Sequence, residues 1–161
     1  MDWSTGLDVI RTVALIAAVV FAALQVRHAN RSRKEQAAVE MIRSMQSAEW
    51  MSAVGPVSQF STPGVAHLDR DQAAFATTIA LRLETVGYLV YRRAVPLEVV
   101  DDLVGGISRV AWARLGPWVI KGRADSGNEK SYEWFQWLCE RLAERGPSPT
   151  PAHLAHSDWQ P

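Results

Sequence analysis

Histidine and cysteine are the residues best suited to metal binding or nucleophilic catalysis, and few in this chain are placed for either. His153 and His156 form an HxxH pair close to Asp158. A structural zinc site needs four ligands, usually with thiolates among them, so we interpret the pair as exposed tail residues and predict no metal site. Cys139 has no histidine beside it, which predicts a buried thiol rather than a nucleophile. The sequence also lacks the glycine-rich phosphate loops and the serine elbow of known enzymes, so we expect no cofactor and favour a non-catalytic protein.

Glu84 is the carboxylate with the most informative surroundings. It lies in the segment LETVGYLVYRRAV, with Gly87 three residues later. A catalytic acid or base needs a second positioned group, and none is spaced to work with Glu84. We therefore expect an ion pair with Arg123 or Arg114 that ties two helices together, and a close helix contact at Gly87. The residues predicted to be structural are Glu84, Gly87, Trp112 and Arg123.

Tryptophan is frequent, with seven in 161 residues. Several of these rings fall in the last two predicted helices. One interpretation is an aromatic ligand pocket or a hot spot for a partner, and the other, which we favour, is a shared core. So many rings exceed what one small core needs, so at least one is expected at a groove or an interface. The tryptophans predicted to contact a partner are Trp134, Trp137 and, in the tail, Trp159.

The stretch TVALIAAVVFAALQVRHANRSRK, residues 12–34, predicts where the protein is held. Residues 7–26 are mostly apolar and would span about 30 Å as a helix, which matches a bilayer core. The basic residues directly after this run predict that its end stays in the cytoplasm. We therefore predict a single-pass anchor in the inner membrane of a bacterial cell, with the N-terminus outside and the rest of the chain cytoplasmic. The residues predicted at the membrane interface are Trp3, Arg11, Arg27, Arg31, Arg33 and Lys34.

Two other interpretations of the apolar run are weaker. A cleaved signal peptide is supported by VFAA, which resembles a cleavage site, but the first ten residues hold no lysine or arginine. A buried helix of a soluble protein would carry a polar stripe, and residues 12–24 show none.

Alanines on one side of the predicted anchor suggest a partner in the membrane. Helices pack in lipid through small residues that let their backbones approach. Ala14, Ala18 and Ala22 recur every four residues, so we predict that they contact another membrane protein or a second copy of this chain. The 17 basic and 17 acidic side chains balance, which argues against a nucleic-acid partner because phosphate binding needs a basic face. The expected partners are the lipid bilayer and another membrane protein or a homo-oligomer.

The periodicity of the remaining chain predicts an all-α protein, because no run alternates with period two. We predict an anchor at 1–26, a basic stalk at 27–37, a cytoplasmic bundle of about four to five helices at 38–146, and an irregular Pro-rich tail at 147–161. Glycine and proline are expected to set the helix ends, at Gly55–Pro56 and at Gly105–Gly106, and Pro117 to kink or split a helix. Asp69 and Gln72 have the spacing of a capping box.

Other local signals place the ends of the last helix and of the segments beside it. Ser131 is expected to cap a last helix, Tyr132–Arg145, that Gly146 ends. Asp101 and Asp102 are expected at a solvated helix end, and the tail is expected to hold no regular element.

These pieces together resemble a known family. The basic RHANRSRKE is followed by SAEW, then LETVGYLVYRRAVPLEVVDDL, then Trp112 and Pro117, and finally Arg123 and YEWFQWL. This order is similar to the DUF4760 family of bacterial and phage proteins, over roughly residues 8–143. The resemblance implies one N-terminal membrane helix and a cytoplasmic helical domain, with no assigned activity and no functional residues to carry over.

Anchor, bundle and tail together predict a membrane-tethered helical interaction module, an accessory or regulatory subunit of a bacterial membrane complex. Two alternatives remain open from the sequence. One is a sensor that binds a small ligand in an aromatic pocket, and the other is an enzyme of unrecognised type.

Overall fold

A single long helix opens the structure, a computed structural model that describes residues 3–61, 64, 66–146 and 150–160. Helix α1, Trp3–Met45, has 43 residues, so it is about 65 Å long. Within α1 the described side chains are those of residues 11, 12, 15–29, 32 and 36–45. No glycine or proline interrupts the chain between Leu7 and Met45, and the predicted boundaries at 26 and 37 therefore fall inside one continuous helix.

Only the last turns of α1 enter the bundle. Met41 and Met45 are buried there, whereas Val26 near the middle of the helix is exposed. Among the described residues, one helix is long and apolar enough to cross a bilayer, Arg70–Tyr91, and Leu15–Ala29 is a shorter apolar stretch. Helix Arg70–Tyr91 contributes buried residues to the bundle core. Core helices of soluble domains can be equally long and apolar.

Helix α2, Ala48–Ser58, ends later than the sequence predicts. The Ser47 side chain accepts a hydrogen bond from the backbone N–H of Trp50, which caps the first turn. The predicted end at Gly55–Pro56 is wrong, because Pro56 lies inside the helix. Val57, one residue further, is buried, and burying a valine contributes about 1.5–3 kcal/mol, which is similar to the cost of an interior proline at about 3 kcal/mol.

Helix α3, Arg70–Tyr91, is the central element of the bundle. The predicted capping box is confirmed: the Asp69 side chain accepts from Gln72 N, and the Gln72 side chain accepts from Asp69 N. Its inner face buries Ile79, Leu83 and Val86.

A short helix α4, Leu97–Val100, continues through a π-helical segment, Asp101–Gly105, into α5, Gly106–Ser126. The predicted stop at Gly105–Gly106 is therefore wrong. A Cβ on Gly105 would lie 2.2 Å from Asp101 Oδ1, so the glycine makes room for a carboxylate four residues earlier. Here glycine serves close approach within a helix rather than its termination.

Pro117 lies inside α5 and does not split it. Proline has no N–H for the carbonyl four residues earlier, which is that of Ala113. That carbonyl instead accepts a hydrogen bond from Gly64 N, 3.2 Å away in the connection between α2 and α3. A Cβ on Gly64 would lie 1.9 Å from the Arg114 carbonyl oxygen, so only glycine can approach closely enough to supply this bond.

Helix α6, Glu133–Arg145, is the last long element, and Gly146 ends it as predicted. The predicted Ser131 cap is wrong, because the N-cap residue of α6 is Tyr132. Tyr132 has φ 56°, and its side chain makes no capping hydrogen bond. The tail is not wholly irregular either, since Ala152–Ala155 forms the one-turn helix α7. Every regular element in the described part of the chain is helical, which confirms the predicted all-α class.

The core lies where α2, α3, α5 and α6 meet. Its largest fully buried side chains come from α3, α5 and α6 and hold these three helices against one another. They are Ile79, Leu83, Leu115, Phe135, Leu138 and Leu142.

Candidate functional site: an exposed aromatic patch on α3 and α6

The position of the first turn of α6 is set by α3 rather than by its own sequence. Its cap residue Tyr132 offers no side-chain acceptor, yet the first N–H groups of a helix need one. Glu84 of α3 fills this role, since its Oε2 accepts from Phe135 N at 2.7 Å. Burial raises the pKa of Glu84 above its ordinary value, and the hydrogen bonds from Phe135 N and Trp134 N oppose this rise. A carboxylate here also faces the positive end of the helix dipole.

Arg123 of α5 holds the turn that leads into α6. Its guanidinium donates to the Ser131 carbonyl at 2.8 Å and to the Tyr132 carbonyl at 3.1 Å, and to the Gln136 side chain. The expected ion pair between Glu84 and Arg123 or Arg114 is not among the ion pairs of the described residues. Glu84 instead accepts from the backbone of the first turn of α6. Arg123 donates to backbone carbonyls of the turn just before it.

Arg114 is occupied elsewhere, because its Nε donates to the Phe60 carbonyl at 2.9 Å. It therefore ties the end of α2 to α5 and takes no part in the turn before α6.

Gly87 is the point of closest approach between α3 and α6. A Cβ at this position would lie 2.1 Å from the Trp134 carbonyl oxygen and 2.7 Å from its carbonyl carbon. Both are backbone atoms, which cannot rotate away. The two helices therefore touch through their backbones at Gly87, and this contact places the Trp134 side chain beside the last turns of α3.

Four aromatic side chains form a continuous cluster there, which we call the aromatic patch: Tyr88, Tyr91, Trp134 and Trp137. Ring centroids are 4.4 Å apart for Tyr91 and Trp134, 5.7 Å for Tyr88 and Trp134, and 6.1 Å for the two tryptophans. These separations are typical of favourable aromatic pairs. Tyr88 is 44% exposed and Tyr91 is 53% exposed, so the patch is an open surface.

The other two tryptophans of this region, Trp112 and Trp118, contact aromatic residues outside the patch. Trp112 packs edge-on against the fully buried Phe135, with centroids 5.2 Å apart. Trp118 lies against Tyr132 with centroids 5.7 Å apart. The four tryptophans of this region are all half-buried, and they differ in the rings that they contact. The sequence analysis did not identify the tyrosines of the patch. Tyr88 and Tyr91 are three residues apart, a spacing that places them on one helix face.

The exposed residues just before the patch on α3 carry no charge and those just after it are basic, while Glu84 between them is half-buried. Leu81 is 54% exposed and Thr85 is also exposed, where an amphipathic helix normally carries charge. Arg92 and Arg93 follow Tyr91 and are both exposed, and neither forms an ion pair with any residue that the structure describes. Arg93 has φ 56°, a conformation that favours glycine.

Comparison with protein families identifies the chain. A family model described as a domain of unknown function, DUF4760, matches residues 12–142. The chain belongs to the DUF4760 family. The match runs from the apolar part of α1 to Leu142 in the last turn of α6, so it includes the whole aromatic patch and excludes the tail. The resemblance predicted from the sequence is confirmed. No curated protein and no solved structure matches the chain.

A cluster of charged residues around Asp101 has a structural role in this DUF4760 protein. Asp101 is not at a solvated helix end, as the sequence suggested, because its side chain is 11% exposed and bonds Arg109 at 2.8 Å and Arg145 at 3.3 Å. Arg109 also donates to the carbonyls of Leu142 and Gly146. These contacts fasten the end of α6 to the π-helical segment, and both arginines have partners there.

The histidines and the cysteine of this DUF4760 chain form no metal or nucleophile site among the residues that the structure describes. No group of three possible metal ligands occurs there, and His153 and His156 are exposed on and beside α7. Cys139 is 4% exposed and donates to the Ser108 carbonyl at 3.4 Å. Burial raises the pKa of its thiol to about 12, so the reactive thiolate is scarce at neutral pH.

The residues predicted at the membrane and at a partner are spread along α1 and the tail. Arg11, Ala18, Ala22 and Arg27 are exposed on α1, and Trp159 is 71% exposed. The remaining predictions fall on side chains outside the described ones, although their backbones lie within α1: Trp3, Ala14, Arg31, Arg33 and Lys34. Their roles stay predictions.

Proposed function

We propose that this DUF4760 protein is a membrane-tethered helical interaction module that acts as an accessory or regulatory subunit of a bacterial membrane complex. The observation that carries the proposal is the apolar surface of α1. Between residues 15 and 26 its large apolar side chains are 53–69% exposed: Leu15, Ile16, Val19, Val20, Phe21, Leu24 and Val26. Such a surface is unfavourable in water and favourable in a bilayer core.

The direction of insertion is inferred from charge. Arg27 follows the apolar side chains directly, and Arg31, Arg33 and Lys34 come within the next two turns of the same helix. Basic residues beside a membrane helix favour the cytoplasmic side. We therefore infer an N-terminus outside the inner membrane and a cytoplasmic bundle.

The bundle supports recognition rather than catalysis. It carries the aromatic patch on its surface, and tyrosine and tryptophan are the residues that most often dominate binding surfaces. A small-ligand sensor would need an enclosed pocket, whereas the rings of Tyr88 and Tyr91 are about half exposed. The open geometry therefore favours a macromolecular or membrane surface as the partner of the patch.

Within the membrane, the predicted contact surface is the alanine strip of Ala14, Ala18 and Ala22. A partner helix can approach this strip closely because the side chains are small. The opposite strip carries bulkier residues, among them Val13 and Val20, and is inferred to face lipid.

Topology is the first test of the proposal. With a tag at each end of the full chain, we expect both tags to stay on one polypeptide that resists extraction by alkaline carbonate. External protease should remove the N-terminal tag from spheroplasts and the C-terminal tag from inverted vesicles. Loss of the N-terminal tag during export would support a cleaved signal peptide, and a soluble full-length chain would refute the tether.

Partner contact is the second test. Ala14→Leu with Ala18→Leu should prevent co-purification of a partner in mild detergent while carbonate resistance persists. Val13→Leu with Val20→Leu is the matched control and should leave the partner bound. Equal losses in both pairs, or no loss in either, would reject a specific alanine face.

A further inference from the structure

We propose that the aromatic patch, together with Arg92 and Arg93, docks the head onto the anionic lipid headgroups of the bilayer that holds α1. The head here means residues 38–146. This inference rests on the proposed tether, since it needs the head to be held near a membrane, but it assigns a second and separate contact with lipid.

The chemistry of the patch suits a membrane surface. Tyrosine and tryptophan have an apolar ring and a polar group, and they are enriched where hydrocarbon meets headgroups. In the patch, Tyr91 contacts both Trp134 and Trp137, so the rings form one surface rather than isolated anchors. The exposed Leu81 and Thr85 extend this surface along α3 without adding charge.

Charge distinguishes this occupant from a general apolar partner. Arg92 and Arg93 lie at the end of the patch and are exposed, without an ion pair to any residue in the described part of the chain. A basic side chain near an anionic leaflet strengthens binding by about fivefold. The arginines at the end of the patch therefore complement phosphates that carry negative charge. Two half-buried acids also lie beside the patch: Glu84 on α3 accepts from Phe135 N, and Glu133 directly precedes Trp134 in α6.

The backbone of Arg93 offers a substitution that removes its charge without added strain. It has φ 56°, where glycine would be less strained. Glycine is the usual residue just after a helix end in this conformation. The arginine thus occupies a position that stability alone would give to glycine, so Arg93→Gly can remove the charge without unfolding the head.

The distances between membrane and head permit this contact. Arg27 to Ala37 spans 11 residues of α1, or about 16 Å, and Ala37 already packs on the bundle core. Helix α1 enters the head beside the C-terminal half of α3, because Arg82 donates to the Ser47 side chain at 3.4 Å. Tyr91 lies nine residues beyond Arg82, about 14 Å along the same helix. A head tethered about 16 Å from the apolar run of α1 has a high effective concentration at the bilayer, so even a weak surface binds.

The experiment reports the surroundings of a single site on the patch in the full chain. Thr85→Cys places a thiol on the exposed face of α3, and Ser52→Cys places a matched thiol on the exposed face of α2. A spin label attached to either is read for its accessibility to oxygen, which concentrates in lipid, and to a water-soluble relaxing agent. The native Cys139 is buried, so the chain without an added cysteine should take no label and serves as the blank.

The full chain is reconstituted into vesicles of phosphatidylcholine, with or without about 30 mol% phosphatidylglycerol. With the anionic lipid, we expect the label at position 85 to gain oxygen accessibility and lose aqueous accessibility, and the label at 52 to stay unchanged. Arg92→Gln with Arg93→Gln should lower the ratio of docked to free heads about 25-fold. Arg93→Gly should lower it about fivefold while the melting temperature stays equal or rises, which separates the loss of charge from unfolding.

Flotation of the same vesicles keeps the two proposals distinguishable. Chains that fail to float with vesicles of either composition would refute the tether. Chains that float while the label at 85 stays in water would overturn the docking surface alone, as would undiminished docking of the double arginine variant. Protection of position 85 in native membranes but not in anionic vesicles would assign the patch to a protein partner and would also overturn the proposal.

Discussion

Replacing Gly87 with alanine tests whether α3 and α6 are held by direct backbone contact. The added Cβ would lie 2.1 Å from the Trp134 carbonyl oxygen, whereas unstrained contacts begin at about 3.5 Å. Neither helix backbone can rotate out of the way, so α6 must move away from α3 by more than about 1 Å. The movement would pull Phe135 N away from Glu84, which now accepts from it at 2.7 Å.

The magnitude follows from three effects. Overpacking a well-fitted contact costs about 1–3 kcal/mol, and loss of a hydrogen bond to a charged group costs about 1.5–3 kcal/mol. Alanine favours a helix interior over glycine by about 1 kcal/mol. We expect Gly87→Ala to lower the free energy of unfolding by about 2–4 kcal/mol and the melting temperature by about 5–15 °C. Gly87→Leu should be more damaging.

Thermal unfolding of the full chain in mild detergent, followed by tryptophan fluorescence, measures this change. Trp112 and Trp134 lie in the bundle and report its unfolding. Gly122→Ala is the matched control: it lies inside α5, and a Cβ there would meet no atom within 4 Å. This control should be stabilised by up to about 1 kcal/mol. A rise in melting temperature for Gly87→Ala equal to that of Gly122→Ala would refute the reasoning.

Two further predictions concern groups whose pKa is raised by burial, the half-buried Glu84 and the buried Cys139. The pKa of Glu84 is higher in the folded state than its ordinary value of 4.5. Between the unfolded-state and folded-state pKa values, the folded state therefore binds more protons than the unfolded state. The contribution of Glu84 to stability falls as the pH rises through this range. Glu84→Gln should therefore gain stability relative to the native chain from pH 4.5 upward in denaturant titrations, and a pH-independent difference would contradict this. Cys139, with a pKa of about 12, should react with a thiol reagent at pH 8 only after denaturation, and rapid reaction of the native chain would show that it is accessible.

The sequence by itself determined the features that depend on neighbours three or four residues apart. The capping box of Asp69 and Gln72 and the glycine end of α6 at Gly146 were predicted correctly, because each is a contact within one turn. The all-α class and the family also follow from such patterns. The anchor and its orientation are sequence predictions of the same kind, and the membrane experiments above test them.

Tertiary contacts decided what the helix-breaking residues do. Pro117 remains inside α5 because Gly64, more than fifty residues away in sequence, donates to the carbonyl that the proline leaves free. Gly105 does not end a helix because it makes room for Asp101. A local rule gives the cost of such a residue but not the distant group that offsets it, so these helix ends were placed wrongly.

The candidate site was decided in the same way. The sequence marked Glu84, Gly87 and the tryptophans of α6 but could not show which rings contact one another or join Tyr88 and Tyr91 to Trp134. That arrangement depends on the angle and distance at which α6 crosses α3. The backbone contact at Gly87 and the hydrogen bond from Phe135 N to Glu84 set this geometry, and both join residues about fifty positions apart, which no periodicity within a helix records.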